Sequence, residues 1–388
     1  MKALRSFPWR KHNTFTLLVD SDAFYPEMLR AIEQAQTFVY LEQYLIHSGN
    51  ILDRFIEAIC GAAQRGIRCY ILLDDYGTRE MSVTDKARLA IENIHLVYYN
   101  PFSWTQLYKS MRRNHRKLLL IDQHTAYVGG AGISDEYHSR KQPQALHWHD
   151  IVVKVQGEAV TDWFESFNDI WQDNSPIPLP PVRQRTHDTA QQRHRGRVQL
   201  ARGAGRNQIM ADLLNHIKKS RQTIRIATPY FLTTRKLRHA LKRAARRGVD
   251  VRLLLPGEIS DHRWITQAAR HYYSRLLRNG VRIYEYQPRF IHAKLFLCDN
   301  WVSIGSSNLD RWNQFWNLDA NQAIDAAELG NQAMQMLEQD FSLSREIDLT
   351  HWKQRGVVQR LREWWSIYIV RLIQRVVFFF AYSQKKTG

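Results

Sequence analysis

The chain has 388 residues, 55 Lys and Arg against 37 Asp and Glu, a formal net charge of +18 and a pI near 9.9. Its 44% hydrophobic content can fill the cores of two ordinary domains, which excludes disorder. The charge points to a polyanionic partner, nucleic acid or an anionic membrane surface, and three cysteines without a C-x-x-C pair imply neither a disulfide framework nor a zinc site.

Residues 1–15 are basic and lack an apolar run, so no signal peptide is expected, and no uncharged apolar stretch is long enough to span a membrane. A helix pattern covers 25–36, an apolar strand 37–46, and a second helix 51–65, stopped by Gly66. A buried strand follows over 68–74. The pattern returns about 180 residues later: Ala244-Ala245-Arg246-Arg247-Gly248 with Leu253-Leu254-Leu255 matches Ala62-Ala63-Gln64-Arg65-Gly66 with Ile71-Leu72-Leu73. Helices alternating with strands, twice over, predict an α/β fold in two tandem halves.

Each half carries His-x-Lys-x-x-x-x-Asp: His115, Lys117 and Asp122, then His292, Lys294 and Asp299. Each copy runs into a small-residue turn, Gly129-Gly130-Ala131-Gly132 and Gly305-Ser306-Ser307-Asn308. The period of two sets His115, Lys117 and Leu119 on one strand face, with Asp122 and Gln123 turning into a strand at 125–128. The stretch before His115 is about ten residues longer than its counterpart before His292 and is rich in Trp104, Tyr108, Lys109, Arg112 and Arg113. It is read as either a surface loop or a loop facing the site or lipid.

Residues 175–197, with Pro176, Pro178, Pro180, Pro181 and then Arg183, Arg185, Arg193, Arg195 and Arg197, predict an extended linker. The expected division is a first domain over 1–174, this linker, a second domain over 198–350 and a tail over 351–388. The tail predicts a basic amphipathic helix. Arg360, Glu363, Arg371, Gln374 and Arg375 share one side, opposite Trp365, Ile369, Leu372, Val376 and Phe380. A membrane interface is favoured over docking on the core because Phe378-Phe379-Phe380 adds further apolar surface.

Two histidines can divide nucleophile and general acid between them, and two lysines can hold a phosphate, so the motifs predict a phosphodiester-cleaving site without a metal. Asp150 and Asp319 are better placed to orient the imidazoles than Asp122 and Asp299, which fall at strand end and turn. His147-x-His149-Asp150 as a metal site and Asp74-Asp75 as a cation site are the weaker readings. Glu42, on a strand read as buried, needs either a site lysine or a neighbouring arginine.

The paired motifs with their small-residue follow-ons resemble the phospholipase D superfamily over about residues 15–348. More narrowly they are similar to the bacterial cardiolipin synthases of the B type, which also lack two N-terminal membrane spans. Leu72-Leu73-Asp74-Asp75-Tyr76-Gly77, Ala227-Thr228-Pro229-Tyr230-Phe231 and Gly305-Ser306-Ser307-Asn308-Leu309-Asp310 carry that likeness. The resemblance implies two phospholipase D-like α/β/α domains related by a pseudo-twofold axis. It implies phosphatidyl transfer between two phosphatidylglycerols, through a phosphatidyl-histidine, giving cardiolipin and glycerol. It implies catalytic roles for His115, Lys117, Asp122, His292, Lys294 and Asp299, with His115 as nucleophile and His292 as acid. It implies histidine-orienting roles for Asp150 and Asp319 and phosphate binding by Asn308 and Ser306. No cofactor or metal is expected. Phosphatidylglycerol, other phospholipids and an anionic membrane surface are the expected partners, on the cytoplasmic side of a bacterial inner membrane; nucleic acid is not. A hydrolytic phospholipase D or a nuclease of the superfamily is the alternative; the aromatic tail speaks against the nuclease. The family usually has Asn where this chain has Gly132, leaving phosphate binding there to backbone amides, to Ser134, or weakened.

Overall fold

Alternating strand faces serve two layers of helices. The computed structural model describes residues 4–138, 147–181, 194–203 and 206–384, and of 106–108 and 374–384 the backbone only. The first half runs β1 (Arg10–Val19), α1 (Ser21–Glu33), β2 (Phe38–Gln43), α2 (Asn50–Gln64), β3 (Arg68–Asp74), α3 (Val83–Arg88), β4 (Ile94–Tyr99), α4 (Leu107–Ser110), β5 (Leu118–Ile121), β6 (Thr125–Gly129), β7 (Ile151–Gly157) and α5 (Ala159–Asn174). The second runs β8 (His194–Arg202), α6 (Gln208–Lys219), β9 (Thr223–Ala227), α7 (Arg235–Arg246), β10 (Asp250–Pro256), α8 (Arg263–Arg270), α9 (Tyr273–Leu277), β11 (Arg282–Tyr286), β12 (Leu295–Cys298), β13 (Trp301–Gly305), α10 (Arg311–Trp316), β14 (Leu318–Asp325) and α11 (Ala327–Ser342). Beyond it lie β15 (Ser344–Glu346), α12 (Leu349–Lys353) and α13 (Val357–Gln384).

Among the described residues fifteen strands form one sheet, ordered β15-β11-β10-β9-β12-β13-β14-β8-β1-β7-β6-β5-β2-β3-β4. Read outward from the antiparallel β1–β8 pair, the halves repeat strand for strand, with β15 extra. The two expected halves therefore share a sheet. On β2, Phe38 and Tyr40 face a core that crosses between the halves under α5 and α11, while Val39 and Leu41 face a core of the first half alone. The second half has its own core under α6 and α7. Period-two alternation on strands buried on both faces gives this three-layer packing.

Gly66 and Gly248, at φ 84° and 90°, end α2 and α7 in the left-handed conformation that glycine adopts without penalty. Arg195 and Arg197, read as linker, lie in β8, where Arg197 pairs with Asp212. Residues 175–181 carry no regular element, and Arg183, Arg185 and Arg193 lie outside the described residues.

The tail forms the expected helix, but its faces differ from the reading. Glu363 lies on the docked face with Ile367 and Val370, all buried, and pairs with Arg355 at 3.1 Å. A buried carboxylate needs such a partner, and the wheel alone could not show that one lay within reach. Trp365, Ile369 and Leu372 are exposed as expected. The side chains of Gln374, Arg375, Val376, Phe378, Phe379 and Phe380 lie outside the described residues.

Candidate active site

The two halves clasp each other at two equivalent points. Leu318 donates its amide to Arg113 O, and its own carbonyl accepts from His115 N, both at 2.9 Å. In the other half His149 N donates to Phe290 O, and His149 O accepts from His292 N, both at 2.8 Å. Asp319 and Asp150 each follow one of these residues, so each carboxylate is delivered to the histidine of the opposite half. His115 Nδ1 lies 3.1 Å from Asp319 Oδ1, and His292 Nδ1 lies 2.6 Å from Asp150 Oδ2. Each Nδ1–H donates to its carboxylate, which leaves Nε2 as the reactive nitrogen.

His115 and Lys117 immediately precede β5, and Lys294 immediately precedes β12. Each lysine folds back onto the carbonyl of its own histidine, Lys117 Nζ to His115 O at 2.7 Å and Lys294 Nζ to His292 O at 2.6 Å. Lys294 Nζ also sits against the His292 ring, 2.8 Å from Nε2. Arg116 points the other way, as alternation demands, and meets Glu42 at 2.9 Å, where Asn114 donates to the same carboxylate. Glu42 thus has the arginine rather than a site lysine.

Burial sets the proton affinities. Burial, then the charges of Lys117 and Lys294, push His115 well below the usual histidine range. Burial and Lys294 bring His292 down to about 4 against the pull of Asp150. Burial lowers Lys294 to about 8 and, with Lys294 beside it, Lys117 as well. The carboxylates diverge. Burial drives Asp319 up, to about 7, against the hydrogen bond from Ser306 and the charge of Lys117. At Asp150 burial works upward too, but Lys294 and His292 outweigh it and hold the group below the usual carboxylate range. An anionic phosphate between the two lysines would raise both lysines and both histidines.

Three expected site residues do other work. Asp122 accepts from the backbone amides of Gln36, Thr37 and Phe38 and from Thr37 Oγ1, at 2.7 to 3.2 Å. Asp299 accepts from the amides of Arg221, Gln222 and Thr223. Both stand at the far end of their strands, in turns where Asp122, Gln123 and Asp299 have φ of 51° to 56°. They tie the β5–β6 and β12–β13 turns to the starts of β2 and β9 and do not meet the histidines. Ser306 donates its hydroxyl to Asp319 at 2.8 Å, and its carbonyl lies 3.1 Å from His115 Nδ1. It buttresses the dyad, so its hydroxyl is not offered to phosphate. Asn308 is buried, and its Oδ1 has no hydrogen-bond partner among the described residues.

Gly132 has a packing cause. A Cβ there would stand 2.8 Å from both Cβ and the carbonyl oxygen of Leu45, so an asparagine cannot enter unless Leu45 moves. Ser134 is buried and accepts from Glu136 N rather than replacing the missing amide. The residue missed in the sequence is Tyr137, fully buried, whose hydroxyl lies 3.0 Å from His292 Nδ1. Its only signal was an aromatic residue just beyond the glycine turn.

His149 has both ring nitrogens on carboxylates, Nδ1 with Asp20 at 2.7 Å and Nε2 with Asp340 at 3.1 Å, so it does not offer a metal ligand as it stands. Asp74 accepts from Tyr76 N, Gly77 N and Asn114 N, which makes it a fastener under the first motif. Before the motif, Arg113 is buried against Asp74 and Asn100 O, while Phe102 and Trp104 project edge to face into solvent. The Tyr108 side chain lies outside the described residues. Cys298 is buried in β12, where burial pushes its thiol up to about 12, so it is a strand residue as read.

Two repeated α/β halves whose motifs meet at one site form the architecture that the resemblance to phospholipase D-like enzymes implied. The family model described as "Cardiolipin synthase, PLD-like domain" matches residues 28–171 and 213–342. Cardiolipin synthase B of Salmonella typhi is 34% identical over 326 residues, covering 81% of this chain and 77% of that one. Its Escherichia coli counterpart is 32% identical over the same span, and a probable cardiolipin synthase of Bacillus subtilis is 28% identical over 89% of this chain and 70% of that one. The crystal structure of Haemophilus influenzae phosphatidylserine synthase superposes with a TM-score of 0.72 at 13% identity, covering 96% of this chain and 95% of that one, and shares the fold. The chain belongs to the cardiolipin synthase family of phospholipase D-like proteins.

Proposed function

We propose that this enzyme is a phosphatidyltransferase that joins two phosphatidylglycerols into cardiolipin and glycerol. The crossed dyads carry the reading, since each half alone would hold a histidine without its carboxylate. In the first step His115 Nε2 attacks phosphorus, and the bond to the leaving glycerol breaks. His292 Nε2–H gives that oxygen its proton. In the second step the hydroxyl of another phosphatidylglycerol returns a proton to His292 and attacks phosphorus, and the P–N bond breaks. Lys117 and Lys294 hold the non-bridging oxygens, and Asn308 is the candidate side-chain donor of the second half. The unequal carboxylates favour this division. Asp150, held low, stabilises a proton on His292, the acid; Asp319, pushed up, does less to draw one onto His115, the nucleophile.

The proposed domains are 1–174 and 198–350 with a tail at 351–388, and β8 joins the second domain. Among the described residues no helix is long and apolar enough to cross a membrane. We place the enzyme peripherally on the cytoplasmic face of a bacterial inner membrane, held in part by α13. Purified protein given labelled phosphatidylglycerol in detergent should yield cardiolipin and free glycerol. His115→Ala and His292→Ala should each lower turnover by about 10³-fold or more. Phosphatidic acid as the sole product would make the enzyme a hydrolase, and cardiolipin formation by either variant at near wild-type rate would refute the two-histidine site.

A further inference from the structure

On the outer side of the second half, α7 buries Leu237, Leu241 and Ala244 and turns Arg235, Arg238, Lys242 and Arg246 the other way. These four stand at i, i+3, i+7 and i+11, a spacing that lines them along one helical stripe. Arg275 on the neighbouring α9 and Arg371 on α13 extend the stripe sideways. Burial, then the charges of Arg275, Arg246 and Arg238, lower Lys242. Burial, then Arg371, Arg235 and Arg275, lower Arg238, although the ring of Tyr272, 3.9 Å from its guanidinium carbon, favours the charge. Among the described residues none of these six makes an ion pair with a carboxylate. Elsewhere on the second half arginines are neutralised: Arg225 by Asp250 and Glu338, Arg270 by Glu285, Arg282 by Glu346.

The stripe borders an apolar ridge. With Glu363, Ile367 and Val370 turned inward, α13 presents Leu361, Trp364, Trp365, Tyr368, Ile369 and Leu372 outward, each about half exposed. Arg360 and Arg371, eleven residues apart, share the flank of this ridge that faces α7, since Arg371 lies beside Arg238 and His271. Along its other contacts α13 packs on α8 and reaches α4 of the first half, the helix just before His115.

We infer that α7, α9 and the outward face of α13 form one surface that binds an anionic phospholipid leaflet, the ridge entering the boundary between headgroups and acyl chains while the stripe collects lipid phosphates. This rests on the phospholipid reading above. The ridge decides for lipid over nucleic acid: a phosphate backbone is satisfied by the stripe alone, whereas adjacent exposed indoles beside it match the interface of a bilayer. The arrangement also lays the leaflet beside α4 and thus close to the entrance of the catalytic strand.

The test is co-sedimentation of the full chain with vesicles of phosphatidylglycerol and phosphatidylcholine, and with phosphatidylcholine alone, beside turnover of phosphatidylglycerol in detergent. Lys242→Glu/Arg246→Glu/Arg275→Glu should bind the anionic vesicles about a hundredfold or more weakly, with wild-type turnover in detergent. Trp364→Ser/Trp365→Ser should weaken vesicle binding by about tenfold or more with the same retained turnover. Unchanged vesicle binding by the charge-reversed variant, at wild-type thermal stability, overturns the inference. So does wild-type protein that binds a DNA duplex as tightly as the vesicles and loses both together in that variant. Absence of turnover in wild-type protein that still binds anionic vesicles would instead count against the cardiolipin reading and leave this surface standing.

Discussion

His149 occupies in one half the place that Leu318 holds in the other, yet only His149 is charged. Burial works against a proton on its ring, but hydrogen bonds to Asp20 and Asp340 raise its pKa to about 9. Asp20 belongs to the first half and Asp340 to the second, so the imidazolium rivets the halves one residue from Asp150, with Arg289 on Asp20 and Tyr286 stacked on the ring. A histidine with a raised folded pKa stabilises fully below its unfolded pKa, near 6.5, and loses that contribution as pH rises through about 9. His149→Gln should therefore be less stable than wild type by about 3 kcal/mol at pH 6. Denaturant unfolding should show that gap closing between pH 6.5 and 9.5, and a gap constant across this range would remove the ionic role. The residues themselves were legible in Trp148-His149-Asp150 and Asn317-Leu318-Asp319, because an orienting carboxylate is a chemical requirement of a catalytic histidine. Their crossed pairing was not, because it follows from contacts between residues more than a hundred positions apart.

Among the elements, the period-two reading of the motif held for its turn, while His115 and Lys117 stand in the extended segment just before β5 rather than on the strand, and the repeat was visible from the Gly66 and Gly248 helix ends. The third motif residue was misread because its spacing reports folding rather than chemistry. Four hydrogen-bond donors converge on Asp122, one of them a hydroxyl, and three backbone amides on Asp299. Asp122→Ala should cost about 2–4 kcal/mol of stability, since hydrogen bonds to a charged acceptor are each worth more than ordinary ones. Turnover per folded molecule should stay close to wild type when measured well below the unfolding transition. Loss of turnover in fully folded variant would return Asp122 to the catalytic set. The tail was legible as a helix with an apolar side, but its docked face depends on Arg355 meeting Glu363, which no helical wheel contains.

The whole molecule depends on the β1–β8 seam. Continuing the sheet across it gives the halves a common core, in which Trp163 donates its indole N–H to Gln322 across the join. The two halves were legible from repeats. Their fusion into one sheet was not, because β8 begins inside a stretch whose proline and arginine content reads as linker. The proposed chemistry requires a covalent intermediate on His115 in a site drawn from both halves. Wild-type enzyme turning over phosphatidylglycerol with labelled phosphate, quenched in alkali and digested, tests it directly by peptide mapping. The label is expected on the peptide carrying His115. Label on the peptide carrying His292, or on neither during active turnover, would rule that intermediate out.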